Sequence, residues 1–356
     1  MKDKKSLISV LIAVVFACIA GLVVILGGGG NPLQPNPPTA TEGAPTPQPN
    51  KPIDTTGAAT DIEFFSFPET DEQVILDRIA NAKSRAWMKM YLLTDFRVVD
   101  ALVKAKQNGA DVRAMIEQNP FGGGSSPKLA FDKLKAAGIN VKYSNPVFRF
   151  THEKSFIIDD SVFILTANMT KSAFARNREF GVIHTDKADV AECVAAYNAD
   201  WNRDKFTPQS SALIWSPVNS REKLTKLVGA AQKTLVVYAE LAQDDSIIDA
   251  LIKAQKRGVK VRFLISPNKQ TDGEDANAVD LDKLQKGGVK VRFLASPYMH
   301  AKAFVADEAL AYIGSINLST GSMEFNRELG ILFSDKTAIR LLDEIFEKDW
   351  NKAVDR

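Results

Sequence analysis

Two kinds of hydrophobic pattern alternate along most of this chain. Short apolar runs, such as Ile62 to Phe67 and Val112 to Ile116, are typical of buried strands. Between such runs lie segments like Val98 to Lys106, in which apolar residues recur at helical spacing before a glycine, here Gly109. Strands that alternate with helices of about ten residues predict an α/β fold in which helices cover mixed sheets.

The pattern occurs twice. Asp100-Ala-Leu102 returns as Asp249-Ala-Leu251, and Asp200-Trp-Asn202 returns as Asp349-Trp-Asn351, in both cases 149 residues later. A repeat this long indicates a duplicated domain rather than a solenoid unit. We therefore predict two similar mixed-sheet domains flanked by helices, over residues 61–205 and 206–356. They should pack about a pseudo-twofold axis as a pseudo-dimer within a monomeric chain.

The N-terminus departs from this pattern. Leu7 to Leu26 is an uncharged apolar run, long enough to cross a bilayer as one helix, and Lys2, Lys4 and Lys5 precede it. Residues 1–26 are thus predicted to form a cytoplasmic N-terminus and a transmembrane anchor, with the catalytic domains outside the cytoplasm. A cleaved signal peptide is the alternative, although its apolar core is usually shorter.

Residues 27–60 predict a disordered linker between the anchor and the domains. They contain eight of the chain's sixteen prolines and few charges, so they cannot bury a core. The whole chain has 45 basic and 43 acidic residues. This near-neutral balance lacks the basic footprint of a tight nucleic-acid binder, which makes a nucleic-acid partner possible but less favoured.

The chemistry-bearing residues also come in two sets. Two of the three histidines begin the same frame, His-x-Lys-x4-Asp, and each frame is followed by an asparagine and then by an Asn-Arg-Glu triplet. The first set is His152, Lys154, Asp159, Asn168 and Glu179; the second is His300, Lys302, Asp307, Asn317 and Glu328. On a strand, His and Lys two positions apart point to the same face, so each pair can touch one ligand.

These residue types suit phosphoryl chemistry without a metal. One histidine can attack while the other donates a proton, and the lysines and asparagines can donate hydrogen bonds to anionic oxygens. Glu179 and Glu328 could each fix the tautomer of an imidazole. A lysine beside each histidine would repel a cation, and no spacing typical of metal ligands occurs, so we expect no metal and no cofactor.

At these residues the chain resembles the phospholipase D superfamily, whose signature is His-x-Lys-x4-Asp-x6-Gly-Ser-x-Asn. The second copy reproduces it in full, including Gly314 and Ser315, whereas the first has Leu165-Thr166 in place of Gly-Ser and one residue fewer before it. The resemblance covers about residues 61–356. It implies a metal-independent phosphodiesterase with a phosphohistidine intermediate, His152 as nucleophile, and His300 as general acid and then base.

The predicted site contains a catalytic group and a phosphate-binding group. The catalytic residues are His152, His300, Lys154, Lys302, Asp159, Asp307, Asn168, Asn317, Glu179 and Glu328. The phosphate-binding residues are Lys154, Lys302, Asn168, Asn317, Ser315 and Thr166. The function expected from the resemblance is a phospholipase D-like hydrolysis of phospholipid head-group esters. The alternatives are a nuclease of the same superfamily, a cardiolipin-synthase-like phosphatidyl transferase, and an inactive phosphate-binding module.

Overall fold

The computed structural model describes residues 52–268, 273 and 275–356. The anchor predicted for residues 1–26 and most of the predicted linker lie outside this part of the chain, and both remain predictions. Within the described ranges no helix is long and apolar enough to cross a membrane. The last residues of the predicted linker are described and they pack. Ala59 bridges to Phe333, and Ile53 and Ala58 contact the apolar core of the second half.

The first half is a mixed sheet with helices, as the alternation predicts. Its elements in chain order are β1 (Ile62–Phe67), α1 (Gln73–Ala80), β2 (Arg85–Met90), α2 (Arg97–Gln107), β3 (Asp111–Ile116), α3 (Ser126–Ala136), β4 (Asn140–Tyr143), β5 (Lys154–Ile158), β6 (Ser161–Leu165), α4 (Lys171–Ala175), β7 (Asn177–His184) and α5 (Lys187–Asn202). The strand order is β1-β7-β6-β5-β2-β3-β4. Strands β2, β3 and β4 run parallel, and the other neighbours are antiparallel.

The second half repeats this arrangement. Its elements are β8 (Leu213–Ser216), α6 (Ser220–Ala230), β9 (Thr234–Tyr238), β10 (Ala242–Gln243), α7 (Asp245–Lys256), β11 (Lys260–Ile265), α8 (Ala278–Lys286), β12 (Lys290–Phe293), β13 (Tyr298–Met299), β14 (Ala303–Ala306), β15 (Leu310–Gly314), β16 (Leu318–Ser319), α9 (Thr320–Glu324), β17 (Glu328–Phe333), α10 (Lys336–Lys352) and β18 (Val354–Asp355). The main sheet has the order β18-β12-β11-β9-β14-β15-β17-β8. The two-sheet α/β architecture expected from the sequence is confirmed.

The one-residue difference between the two motif copies lies in a turn. Asp159 and Asp160 connect β5 to β6, whereas Asp307, Glu308 and Ala309 connect β14 to β15. The extra residue is therefore accommodated outside the strands, and the strands on either side keep their equivalent positions.

The two halves share an apolar core. Residues of both halves, among them Trp87, Phe180, Trp215, Phe346 and Trp350, belong to one buried cluster, and each half has a further cluster of its own. The residues that the structure describes all belong to one compact unit. The interface is thus built like a domain interior, which agrees with the predicted pseudo-dimer.

Strands also pair across this interface, reciprocally. β13 runs parallel to β7, with Tyr298 opposite Asn177, and Thr151 forms a parallel bridge with Arg327. The segment just before each motif histidine therefore lies beside the Asn-Arg-Glu triplet of the other half. This pairing positions the candidate site.

Candidate active site

The cross-half strand pairing fixes the backbone of both motif histidines. The amide of His152 donates to the carbonyl oxygen of Arg327 (2.9 Å), and the amide of His300 donates to that of Arg178 (3.3 Å). Each histidine is therefore held next to the glutamate that follows that arginine in the other half.

Each imidazole is paired with a glutamate of the opposite half. Nδ1 of His152 lies 2.8 Å from Oε2 of Glu328, and Nδ1 of His300 lies 2.7 Å from Oε1 of Glu179. Burial opposes ionisation of both carboxyls, but the positive charges of their histidines and of nearby lysines hold the pKa of Glu179 and Glu328 below the usual range. An ionised partner at Nδ1 makes that nitrogen the hydrogen-bond donor and leaves Nε2 as the reactive nitrogen.

Both histidines open onto one cavity of about 440 Å³. Its lining comes from both halves and comprises Tyr91, Leu92, Phe121, Arg149, Phe150, His152, Asn168, Glu240, Leu241, His300, Asn317, Ser319, Gly321, Ser322 and Asn326. The structure thus brings His152, His300, Asn168 and Asn317 together around a single space, as the duplicated motif predicts.

Asn168 and Asn317 are available to a ligand. Their Oδ1 atoms are buried and have no hydrogen-bond partner among the described residues. A buried polar atom without a partner is costly, and such atoms are concentrated where a ligand or water completes the hydrogen bonding. Both side chains line the cavity. Because an amide oxygen only accepts hydrogen bonds, these Oδ1 atoms suit a hydroxyl or water, and the Nδ2 groups are the donors that could bind a phosphate oxygen.

The two lysines are buried behind the histidines. Nζ of Lys154 donates to the carbonyl oxygen of His152 (2.7 Å), and Nζ of Lys302 donates to that of His300 (2.6 Å). Burial lowers the pKa of Lys154 to about 7, and the positive charge of Lys302 adds to this effect while Glu328 opposes it. Burial also lowers the pKa of His152, although Glu328 opposes that change. Burial therefore favours the neutral imidazole of His152, the form that can attack phosphorus, whereas the charge of Glu328 favours the imidazolium.

Thr166 and Ser315 do not line the cavity, contrary to the expectation that they bind phosphate. The hydroxyl of Thr166 donates to Oε2 of Glu179 (2.6 Å), and a hydrogen bond from Ser315 helps to lower the pKa of Glu328. Both hydroxyls therefore support the glutamate that orients a histidine of the other half. Because Thr166 keeps this hydroxyl, the first copy retains the contact despite its changed motif.

Leu165 is also accommodated in the first copy. It lies opposite Gly181 in the β6–β7 pair, and a Cβ placed on Gly181 would come within 2.7 Å of the Leu165 side chain. In the second copy Gly314 lies opposite Gly330, where a Cβ on Gly314 would come within 2.5 Å of the Gly330 Cα. Leucine can therefore stand at position 165 because the residue opposite it, Gly181, has no side chain.

Asp159 and Asp307 lie in turns and not in the cavity lining, so the expectation of a direct catalytic role for them is not supported. Asp159 accepts hydrogen bonds from the amides of Lys83, Ser84 and Arg85. Asp307 accepts from three amides in the same way, those of residues 232, 233 and 234. Each aspartate ties the turn after the motif strand to the start of the neighbouring strand.

Sequence reasoning missed one charged residue of the cavity. Oε2 of Glu240 lies 2.6 Å from Nζ of Lys302 and 3.5 Å from Nε2 of His300. The signal available was the repeat itself, since Glu240 follows Tyr91 by 149 residues and so occupies its equivalent position. Tyr91 packs its ring against His152 with centroids 4.5 Å apart.

In the described ranges, one group of histidine and acidic residues is close enough to hold a metal ion: His184, Asp186 and Asp189. None of the three lines the cavity. His184 is buried at the end of β7, and its Nε2 lies 2.8 Å from Oδ2 of Asp189 in α5, a contact that ties the helix to the strand. The lining offers Arg149 and three asparagines as donors, with the motif lysines behind the histidines, a set suited to an anion rather than a cation.

The duplicated α/β fold and the crossed histidine–glutamate pairs define a class of protein in which two homologous halves share one active site. The chain belongs to the phospholipase D-like family described as "Cardiolipin synthase, PLD-like domain", whose model matches residues 75–201 and again 224–350. The two matches correspond to the two halves and confirm the superfamily expected from the doubled motif.

Relatives with assigned names are distant. The chain is 23% identical to a cardiolipin synthase of Clostridium perfringens (strain 13 / Type A), over 81% of this chain and 70% of that protein. It is 24% identical to a probable cardiolipin synthase of Bacillus subtilis (strain 168), over 72% of this chain and 58% of that protein.

Solved structures share the fold. A phosphatidylserine synthase from Haemophilus influenzae Rd KW20 superposes with a TM-score of 0.64 at 16% identity, covering 84% of this chain and 88% of that chain. A polyphosphate kinase from Porphyromonas gingivalis superposes with a TM-score of 0.62 at 17% identity, covering 81% and 50%. At these identities the likeness concerns the fold alone.

Proposed function

We propose that this protein is a phosphatidyl transferase that moves a phosphatidyl group from one phospholipid to the hydroxyl of an acceptor alcohol, as in cardiolipin synthesis. The observation that carries the proposal is the pair of imidazoles on one cavity, each bound through Nδ1 to an ionised glutamate and each with Nε2 left to react. The named relatives are cardiolipin synthases, which favours an alcohol over water as acceptor. Hydrolysis, the reaction favoured by the sequence, becomes the alternative.

In the first step Nε2 of His152 forms a bond to phosphorus and the bond from phosphorus to the head-group oxygen breaks. That oxygen leaves with a proton from Nε2 of His300, acting as general acid. Lys154, Asn168 and Asn317 would donate hydrogen bonds to the phosphoryl oxygens as negative charge develops on them. The product of this step is a phosphatidyl-histidine and a free alcohol.

In the second step the acceptor oxygen attacks the same phosphorus. Its proton passes to Nε2 of His300, which is now neutral and acts as general base. The bond between phosphorus and Nε2 of His152 breaks, and its electron pair returns to the imidazole. Glu328 and Glu179 stabilise the imidazolium that each histidine forms in turn.

The rim of the cavity favours a lipid over a nucleic acid. Phe121 lines the mouth and is 90% exposed, and Phe325, half exposed, is next to the lining residue Asn326. Val147, also exposed, lies two residues before Arg149, whose guanidinium is the basic group of the lining. Exposed apolar side chains around a site mark a surface for an apolar partner, here acyl chains, whereas a nucleic acid would require more basic groups.

The alternative of an inactive phosphate-binding module is not favoured by this site. It would have required the changed first motif to misplace Asn168. Instead Asn168 lines the same cavity as Asn317, and both histidines have their glutamate.

The test is to incubate the purified full chain with phosphatidylglycerol in mixed micelles and identify the lipid products by mass spectrometry. We expect cardiolipin and glycerol, unaffected by EDTA. Phosphatidate without cardiolipin would establish hydrolysis instead, and cleavage of single-stranded DNA without any lipid product would establish a nuclease.

The variants His152→Ala and His300→Ala separate the two steps. With a p-nitrophenyl phosphodiester, whose leaving group needs little protonation, His300→Ala should accumulate an acid-labile phosphohistidine, whereas His152→Ala should form none. His184→Gln is the matched control because His184 is a buried histidine outside the cavity. Label trapped on His300 in the His152→Ala variant would reverse the assignment of nucleophile and acid.

A further inference from the structure

The two halves differ at one charged position of the shared cavity. Tyr91 directly follows β2, and Glu240 stands at the equivalent place after β9, 149 residues later. Strand β2 pairs antiparallel with β5, which begins at the motif lysine Lys154. Strand β9 pairs antiparallel with β14, which begins one residue after the motif lysine Lys302. The two side chains therefore approach the two histidines from equivalent directions but with different chemistry.

Tyr91 makes an apolar contact with the histidine of the first half, whereas Glu240 makes a charged contact with the histidine of the second half. The Tyr91 ring packs on His152, and Nζ of Lys154 lies 5.0 Å from the centre of that ring. The Glu240 carboxylate instead contacts Nζ of Lys302 at 2.6 Å and Nε2 of His300 at 3.5 Å. A carboxylate thus lies beside the reactive nitrogen of His300, and an aromatic ring beside His152.

This carboxylate is ionised. Burial opposes its charge, but the positive charges of His300 and Lys302 outweigh that effect and hold the pKa of Glu240 well below its usual range. Its negative charge disfavours a phosphodiester oxygen close to it. The phosphate is therefore favoured near Lys154 and Asn168, and the space beside Glu240 is left to a neutral group.

We propose that Glu240 is the residue that recognises the acceptor, and that it selects a polyol such as a glycerol head group. One hydroxyl of the acceptor would face Nε2 of His300, to which it gives its proton as its oxygen attacks phosphorus. A second hydroxyl of the same acceptor would donate a hydrogen bond to the Glu240 carboxylate. This inference rests on the proposed function.

A hydroxyl fits this position better than an amine. The ammonium of Lys302, 2.6 Å from the Glu240 carboxylate, would repel a second cation at this position. The carboxylate keeps further lone pairs for a neutral donor, since an ionised carboxylate accepts about four hydrogen bonds. With water the attacking oxygen would itself be the oxygen held by Glu240, so water offers no separate anchoring group, whereas a polyol does.

The experiment measures how the phosphatidyl group partitions between acceptors. The full chain receives phosphatidylcholine in mixed micelles with equal concentrations of glycerol and 1-propanol, and the two transfer products are quantified by mass spectrometry. The wild type should favour glycerol. Glu240→Tyr, which installs the residue of the first half, should reduce the glycerol-to-propanol ratio about tenfold, because a hydrogen bond to a charged group is lost.

Two further variants complete the comparison. Glu240→Gln keeps an acceptor oxygen without the charge and should give an intermediate ratio. Glu324→Gln removes a carboxylate of the same half that is outside the cavity lining, and the ratio should stay at the wild-type value. A ratio unchanged in Glu240→Tyr overturns the proposal. An equal gain in both products would do so as well, because it would mean that Glu240 merely obstructs the phosphate.

A binding measurement tests the same idea without turnover. By calorimetry, the wild type should bind glycerol phosphate more tightly than n-propyl phosphate, and Glu240→Tyr should lose that difference. Equal binding of the two ligands by the wild type overturns the acceptor site. Absence of transfer to any alcohol, with the binding preference intact, would instead contradict the proposed function and leave the polyol site standing.

Discussion

Lys154 and Lys302 are equivalent in sequence and differ in their electrostatic surroundings. Lys302 contacts the Glu240 carboxylate, whereas Lys154 lies over the Tyr91 ring, although both are buried. For Lys154 burial dominates and lowers the pKa to about 7. Lys154 therefore loses its charge near neutral pH.

This difference predicts a pH dependence. Lys154 is protonated below its pKa, so the hydrogen bonds proposed between its ammonium and an anionic phosphodiester should be present below about pH 7 and be lost as the pH rises. The parameter kcat/KM, which reports the free enzyme, should fall about tenfold per pH unit above that value. The measurement is kcat/KM for a soluble phosphodiester between about pH 5 and pH 9.

Lys154→Arg is the control for that profile, because a guanidinium stays charged throughout the range. Its activity should be lower, but the decline above neutral pH should be absent. The same decline in Lys154→Arg would assign it to another group.

At the scale of single residues, sequence predicted the reactive groups and not their partners. The histidines, asparagines and glutamates were identifiable because their spacing is repeated. The pairing of His152 with Glu328 was not, because it joins residues 176 positions apart through strand contacts between the halves. Glu240 was missed because a single glutamate in an apolar segment belongs to no motif.

At the scale of elements, the aspartate of each motif holds a turn. Asp159 adopts a positive φ of 51° and accepts hydrogen bonds from the amides that begin β2. Burial opposes its ionisation, but these hydrogen bonds outweigh that effect and keep its pKa below the usual range. The stabilisation is therefore complete at neutral pH and is lost as the pH falls through this lowered pKa.

Asp159→Ala should reduce the stability of the fold and leave the catalytic rate of the folded protein nearly unchanged. Loss of the carboxylate leaves several amides without their acceptor, which should reduce the free energy of unfolding by about 1–3 kcal/mol. Urea denaturation measures the loss, and kcat at a temperature where the variant is folded should stay close to that of the wild type. Asp160→Ala, at the exposed neighbouring position, should change neither quantity. A large fall in kcat at full folding would restore a catalytic role to Asp159.

The hydrophobic pattern predicted the long helices and strands well because each buries one face against its own half. It did not predict the short strands that build the site. Strand β13 has two residues and pairs with the other half, so its existence depends on β7 and not on local sequence. Thr166 was assigned to the phosphate because the motif alone does not indicate that its hydroxyl reaches Glu179.

At the scale of the whole molecule, buried ion pairs join the halves. The guanidinium of Arg178 contacts the Asp349 carboxylate at 2.7 and 2.9 Å, and Arg327 contacts Asp200 at 2.6 Å. All four residues belong to the repeated triplets found in the sequence. The duplication predicted that these triplets mattered, but their partnership across the interface required the structure.

Arg178→Ala should destabilise the entire unit, because it leaves the buried Asp349 carboxylate without its counterion. Breaking a buried pair in this way typically costs about 3–5 kcal/mol. Chemical denaturation should still give one transition, and Arg178→Met/Asp349→Leu should lose less stability than the sum of the single variants. Arg340→Ala, which removes an exposed pair with Glu344, should cost less than about 1 kcal/mol. Additive losses at Arg178 and Asp349 would mean that the two groups act independently.

The reciprocal contacts also indicate where a duplicated gene of this kind is free to diverge. The arginines and glutamates that pair through their side chains across the interface are identical in the two copies, at Arg178 and Arg327 and at Glu179 and Glu328. A change at such a position must be matched by a change in the other copy. Tyr91 and Glu240 contact the histidine of their own copy, and there the residues differ. The contacts between the copies thus keep the two halves alike. New selectivity arises at positions that contact residues of their own copy, because a change there requires no matching change in the other copy.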